Sequence, residues 1–299
     1  MTEPLPPDFE LADFGLADFV RAVLAEDLGA GGDVTSRATI AADARFAATM
    51  NCREPITVAG LDIAIAFFRA LDADVKIDRP VADGDRVDAG TVLLRLEGNA
   101  RAMLAAERSA LNTLQHLSGI ATLTRRYVDA IGDGGAKLLD TRKTIPGLRA
   151  LEKYAARMGG ALNHRLRMDD GLLIKDNHVA VAGGVGAAVR LAKAAATGLQ
   201  LQVEVDRLGQ IEEALAAGAD RLLLDNMTAA TLREAVALVA GRVPIEASGG
   251  VNLDTIAGIA ASGVDFVSVG RITQSAPAVD IGLDYALQPV PAKTTSAER

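Results

Sequence analysis

Apolar positions along the chain change texture near its middle. A loop opens the sequence, and a helical spacing follows over Phe14–Leu28. Turn formers from Glu26 through Thr35 end that helix. Between Thr39 and Leu96 short strands surround one helix, Leu61–Leu71, and Val81–Gly98 reads as tight turns and strands, with Asp83-Gly84 and Ala89-Gly90 at the turns. A long helical stretch then runs from Ala100 to Ile131, with an interruption expected near Gly119. From Lys137 onward, apolar runs alternate with helical segments. The runs are KLLDT (137–141), GLLIKD (171–176), LQVEVD (201–206), RLLLDN (221–226), VPIEASG (243–249) and FVSVG (266–270). The helices between them fall at Gly147–Met158, Val185–Ala196, Leu208–Ala217, Ala229–Val239 and Asn252–Ala261.

Repeated strand–helix units require a parallel sheet. Six strands with charge at their C-terminal ends predict an α/β fold with a closed or nearly closed barrel. An open doubly wound sheet stays as the alternative, because connection order cannot be read. This divides the chain into residues 1–116, a barrel over 117–276, a period-two strand over 277–288 that returns to the N-terminal region, and a polar tail, 289–299, expected to be disordered.

Composition narrows the function. Aromatic residues reach only 3% and Trp is absent, which argues against stacking platforms for single-stranded nucleic acid. A net charge of −8 argues against a general nucleic-acid or anionic-membrane partner. The single cysteine, Cys52, reads as a packing residue in a reducing compartment rather than a nucleophile. No secretory leader and no membrane-spanning apolar run are visible, so the expected location is the cytoplasm.

The negative total hides a local reversal. Residues 142–175 hold eight basic side chains against three acids, a charge of +5, while the rest of the chain carries −13. Arg149, Lys153 and Arg157, four residues apart, are expected along one solvated helix face. Arg142, Lys143 and Lys175 directly follow apolar strands, whose C-terminal ends open into a barrel mouth. Unpaired charge there is costly to desolvate, and an anionic ligand is the simplest compensation. Two anions about 4 Å apart repel by roughly 4 kcal/mol at an effective dielectric of 20, so a site for two polyanions needs several cations. Glu204, Asp225 and Glu246 sit near the same end of three successive strands, as a row suited to Mg²⁺, ribose hydroxyls or developing positive charge. At least one, most simply Glu246, is expected to be a structural ion-pair partner. Ser248-Gly249-Gly250 and Val269-Gly270-Arg271 follow the last two strands, where barrels bind phosphate. The three histidines lack a metal-ligand spacing. His116 reads as core or capping, and His164, beside Arg165, as an anion contact.

These residues carry a resemblance. DTRKTIPGLRALEKYA (Asp140–Ala155), GGALNHR (Gly159–Arg165) and LIKDNH (Leu173–His178) resemble the signature blocks of the quinolinate phosphoribosyltransferase family. EDLGAGGDVTS (Glu26–Ser36), AERSALN (Ala106–Asn112) with LSGIAT, VEVD, LLLDNM, EASGGV and VSVGRIT do so too, in order and over nearly the whole chain. The resemblance implies an incomplete (β/α) barrel with an N-terminal α+β open-sandwich domain, assembled as a homodimer. It also implies transfer of phosphoribosyl from phosphoribosyl pyrophosphate, with Mg²⁺, to quinolinate, with loss of carbon dioxide. No organic cofactor is implied, since the positive pyridine ring is its own electron sink. Arg108, Thr141, Arg142, Lys143, His164, Arg165 and Lys175 would line the carboxylate and phosphate sites, with Arg108 reaching the partner's site. Lys143, Lys175, Glu204 and Asp225 would be catalytic, and Glu204 and Asp225 would face ribose and Mg²⁺. Ser248, Gly249, Gly250, Val269, Gly270 and Arg271 would hold the 5-phosphate. Two departures stand out: Ala161 replaces a usual glycine, and Arg167-Met168 stand where bacterial members often have Gly-Leu.

Rival readings are a Schiff-base aldolase using Lys175, a carrier module suggested by Val81–Gly98, and a related phosphoribosyltransferase with another acceptor.

Overall fold

In the computed structural model, which describes residues 14–286, the first elements in chain order are α1 (Leu16–Leu28), α2 (Val34–Thr39), β1 (Arg45–Cys52), β2 (Ile56–Thr57), α3 (Leu61–Leu71), β3 (Lys76–Asp78), β4 (Arg86–Val87), β5 (Val92–Asn99) and α4 (Ala100–Ile131). There follow β6 (Lys137–Leu139), α5 (Arg149–Met158), β7 (Leu172–Ile174), α6 (Asp176–Ala182), α7 (Val185–Ala194), β8 (Leu201–Val205) and α8 (Gly209–Ala216). The last are β9 (Arg221–Asp225), α9 (Ala229–Val239), β10 (Ile245–Ser248), α10 (Ile256–Ala260), β11 (Phe266–Ser268), α11 (Arg271–Gln274) and β12 (Ile281–Ala286). The opening loop and the polar tail expected from sequence lie outside the described residues. The chain forms two units.

One unit comprises Gly15–Ile56, Gly60–Gln115 and residues 279–286. Four of its strands form a sheet in the order β12-β1-β5-β3, all antiparallel. The period-two segment after residue 278 thus pairs with β1, as its alternation predicts. Helix α3 presents Leu61, Ile63, Ala64, Ile65, Phe67 and Phe68 to the core, a spacing only a helix gathers. The Asp83 carboxylate accepts the Gly60 and Leu61 N–H groups at 2.9 and 3.1 Å and satisfies the start of that helix. Cys52 is buried, as a packing residue should be. The carrier-like segment supplies β5, bonded to β1 and β3, so it is an integral strand and no free-standing module.

The other unit comprises Phe14, Thr57–Ala59 and His116–Ala278 among the described residues. Its sheet is wholly parallel, in the order β6-β11-β10-β9-β8-β7. The strands are short and almost continuously buried, because helices cover parallel sheets. Each fully buried leucine in them, such as Leu222 or Leu224, contributes on the order of 2 kcal/mol. The edge strands β6 and β7 do not pair with each other, so the barrel is incomplete. The connection between them lays a single bridge, Leu162 to Leu139, into the gap.

Two expectations need correction. Helix α4 runs unbroken through Gly119. The glycine is there for closeness: a Cβ would lie 2.2 Å from the Pro277 carbonyl oxygen. The solvated face assigned to Arg149, Lys153 and Arg157 is also wrong. Lys153 is fully buried and the other two are half-buried, because the helix turns this face toward the Asp140 and Leu166 segments.

Candidate functional site

The C-terminal ends of the barrel strands open into one cavity of about 590 Å³. Thr141, Arg142 and Lys143 enter it after β6, Lys175 after β7, Glu204 from β8 and Asp225 from β9. Ser248, Gly249 and Gly250 follow β10, and Val269, Gly270 and Arg271 follow β11. His164 and Arg165 arrive on the loop that fills the gap between β6 and β7. The sheet order explains most of the division of charge: apart from Arg271 after β11, the cations come from the two edge strands and their connection, and the acids from the strands between. Arg108 is not among the lining residues; it is exposed on α4 in the other unit.

The loop carrying His164 and Arg165 is pinned from beneath. Asp140, at the end of β6, accepts from the Lys153 ammonium, from Asn163 Nδ2 at 2.6 Å and from the His164 N–H at 2.8 Å. Lys153 also donates to the His164 carbonyl at 2.8 Å. Burial pushes the Asp140 carboxyl up and the Lys153 ammonium down, and their mutual attraction opposes both shifts. Both ring nitrogens of His164 are engaged: Nδ1 accepts the Arg165 N–H at 2.8 Å, and Nε2 lies 3.1 Å from Gln202 Oε1 and 3.4 Å from Glu246 Oε2. With Nδ1 accepting, the ring proton sits on Nε2. His164 therefore fixes the backbone beneath Arg165, which refines its expected role as an anion contact.

Arg165 donates to the Gly171 carbonyl at 2.9 Å, and burial, then the positive charge of Arg142, lowers its guanidinium below the usual range. Arg142 Nε is buried and has no hydrogen-bond partner among the described residues. Two guanidiniums thus share one end of the cavity with no carboxylate bonded to either among the described residues, and the charge of nearby Asp170 offsets the shift of Arg165 only in part. Arg167, in doubt from sequence, pairs with Asp169 at 2.9 Å and does not line the cavity. His116 is bonded to the buried Glu152 at 2.9 Å, so it is structural.

The acids differ among themselves. Burial, then the charge of Asp225, raises the Glu204 carboxyl, and Lys175 opposes the shift. Glu246 is almost fully buried and accepts Gln202 Nε2 at 2.8 Å. Burial pushes its carboxyl up, but His164, Ser268 and Gln202 hold it, on balance, below the ordinary range. Glu246 is thus the structural member of the row, though its close partners are His164 and Gln202 rather than Arg or Lys. Two carboxylates remain for a ligand. No cluster of three metal-ligating side chains occurs among the described residues.

Asn252, just before the turn into α10, and Gln274, at the end of α11, also line the cavity and carry no sequence signal, being ordinary polar residues. Gln202 was legible: it lies two residues before Glu204 on β8, hence on the same face. In the other unit, the cleft along β1, β3 and β5 is of similar size, about 550 Å³. Its charges are already paired, Arg95 with Asp78 at 2.7 Å and Lys76 with Glu97 at 3.3 Å, so it lacks the cavity's unbalanced charge.

Comparison with known proteins agrees with this geometry. Residues 120–284 match the family model for the quinolinate phosphoribosyl transferase C-terminal domain, and residues 33–118 match that for its N-terminal domain. The chain is 45% identical over 275 residues to the carboxylating nicotinate-nucleotide pyrophosphorylase of Mycobacterium leprae, covering 89% of this chain and 96% of the relative. It is 41% identical over 263 residues to the probable carboxylating nicotinate-nucleotide pyrophosphorylase of Bacillus subtilis, covering 88% and 90%. The solved nicotinate-nucleotide pyrophosphorylase of Francisella tularensis superposes with a TM-score of 0.87 at 41% identity, covering 91% of this chain and 96% of that one.

Proposed function

This chain belongs to the quinolinate phosphoribosyltransferase family, and on that premise we propose how its cavity joins quinolinate to phosphoribosyl pyrophosphate and releases carbon dioxide. The products are nicotinate mononucleotide, pyrophosphate and carbon dioxide. One observation carries the assignment of the acceptor end: Arg142 and Arg165 converge with only Asp170 partly offsetting their charge, and Arg142 Nε is left unpartnered. A dicarboxylate supplies both charge and acceptors. Lys175 and Arg165 take the quinolinate carboxylates together with Arg142, and Lys143 takes the pyrophosphate. Ser248, Gly249, Gly250, Val269, Gly270 and Arg271 hold the 5-phosphate. Arg108 completes the acceptor site of a second copy, which makes the active form a homodimer.

Pyrophosphate leaves with the C1–O electron pair, and C1 of the ribose becomes cation-like. Glu204 and Asp225 face that charge and stabilise it. The pyridine nitrogen then forms the new bond to C1. The C2–carboxylate bond breaks, its electrons stay on C2 beside the positive nitrogen, and C2 takes a proton. Mutual repulsion of Glu204 and Asp225 makes the pair fit Mg²⁺. With only two protein carboxylates, the ion would complete its shell with donor oxygens and water, and when bound it supplies charge neutralisation for the pyrophosphate. No helix among the described residues is long and apolar enough to cross a membrane. We place the reaction in the cytoplasm, where the single buried Cys52 needs no partner.

An aldolase would use a desolvated lysine, whereas Lys175 is exposed. The remaining alternative is another acceptor. Purified protein with Mg²⁺ and the ribosyl donor should release carbon dioxide with quinolinate and give no nucleotide with nicotinate. Nucleotide from nicotinate, with none from quinolinate, would refute the assignment.

A further inference from the structure

Three non-glycine residues among those described have a positive φ, Ala196, Asn226 and Ala240. Ala240 caps helix α9 and Ala196 follows α7 by two residues, places where chains commonly turn left-handed. Asn226 is different: with φ of 56° it directly follows strand β9 and the acid Asp225. Asparagine tolerates this conformation better than most residues, yet it still carries strain, and such strain clusters at working sites.

Three contacts say what this backbone position achieves. The Asn226 amide Nδ2 donates to Asp225 Oδ2 at 2.6 Å. Its backbone N–H donates to the Ser248 carbonyl at 2.9 Å, and Ser248 is the register partner of Asp225 across the sheet. Its Oδ1 occupies the space beside Gly249: a Cβ there would lie 2.2 Å from Oδ1 and 2.6 Å from Cγ. Gly249 itself has a φ of 90°, so only glycine suits that position. One side chain therefore touches the acid at the end of β9 and the turn at the end of β10.

We infer that Asn226 is a positioning residue that locks the Asp225 carboxylate to the Ser248-Gly249-Gly250 turn, setting the spacing between the acid that faces ribose C1 and the cradle for the 5-phosphate. The inference rests on the functional reading above. A neutral donor suits the task. It orients one carboxylate oxygen without cancelling the charge, and leaves Asp225 Oδ1 for the ligand. Both ends of one ribose phosphate are then gripped by parts that move as one.

The test uses Asn226→Gly and Asn226→Asp in the full chain. Glycine keeps the positive φ and loses the amide, so it removes the contact without adding strain. Aspartate keeps shape and size but sets an oxygen against Asp225 Oδ2 where an N–H had been. A merely structural asparagine would tolerate Asp best and Gly less well. A positioning asparagine gives the order Asn, then Gly, then Asp. Ribose 5-phosphate is titrated calorimetrically without metal, quinolinate likewise, and steady-state rates are measured with Mg²⁺. Ribose 5-phosphate should bind about tenfold more weakly in the glycine variant, the scale of one lost hydrogen bond. It should bind roughly a hundredfold more weakly in the aspartate variant, where like charges meet. Turnover should follow the same order, while quinolinate affinity stays within about threefold, as expected for independent sites. Melting of the glycine variant should match wild type. An aspartate variant equal to or better than the glycine variant overturns the inference, as does a parallel loss of quinolinate affinity. A wild-type protein that does not turn over quinolinate overturns the functional reading instead.

Discussion

Replacing Lys153 by methionine isolates the support beneath the cationic loop. Lys153 is fully buried, and its ammonium serves the Asp140 carboxylate and the His164 carbonyl. Methionine fills a similar volume but leaves Asp140 charged and buried, with only Asn163 and the His164 N–H donating to it. Removing one partner of a buried ion pair costs about 3–5 kcal/mol. At roughly 2–4 °C per kcal/mol for a unit of this size, the melting midpoint should fall by about 6–20 °C. The same change frees the backbone ahead of Arg165, and a displacement of about 1 Å in a substrate-holding group costs on the order of a hundredfold in rate. Differential scanning calorimetry reads the first effect. Carbon dioxide release with varied quinolinate, at saturating donor, reads the second. Adding Asp140→Asn removes the stranded charge and should recover part of the lost stability. A Lys153→Met protein that melts and turns over like wild type would refute the reasoning, and so would a double variant whose losses simply add.

Three further predictions follow from the cavity. Arg165→Ala or Lys175→Ala should abolish quinolinate use while leaving ribose 5-phosphate binding nearly intact; wild-type quinolinate turnover by either purified variant contradicts the acceptor assignment. Arg108→Ala and Arg165→Ala, each inactive alone, should regain partial activity when mixed and allowed to exchange subunits, because a hybrid dimer holds one intact site; no recovery despite proven exchange contradicts the shared site. Glu204 has a folded-state pKa raised by burial and by Asp225, so the folded protein holds that proton more tightly than the unfolded chain. Its contribution to stability therefore falls as pH rises from the ordinary carboxylate value through the raised one. Glu204→Gln should accordingly melt higher than wild type in mildly alkaline buffer, with the gain fading in acid, and should lose turnover; a variant that gains stability only in acid reverses the sign and defeats the account.

Much of this was legible because parallel strands buried on both faces must be apolar throughout, which makes runs such as Leu222–Leu224 visible as runs. Helix α3 was legible for the opposite reason, since only a helix gathers residues 61, 64, 65 and 68 on one side. Gly119 misled because sequence shows the cost of a glycine in a helix but not the neighbouring chain that requires it. Lys153 misled because four-residue spacing is the same on a solvated face as on one turned toward Asp140. The short helices α2 and α6 stayed hidden in segments dense with turn formers and polar residues. Asn226 could not be found at all from the chain alone, since its role lies in a dihedral angle and in a contact with Gly249 across the sheet.

The most direct measurement follows quinolinate carrying isotope only in its 2-carboxylate, incubated with this protein, Mg²⁺ and the ribosyl donor. One labelled carbon dioxide should appear for each pyrophosphate and each nicotinate mononucleotide formed. Pyrophosphate released with the label still on the pyridine product, or no product at all from the intact protein, would contradict the reaction assigned to this cavity.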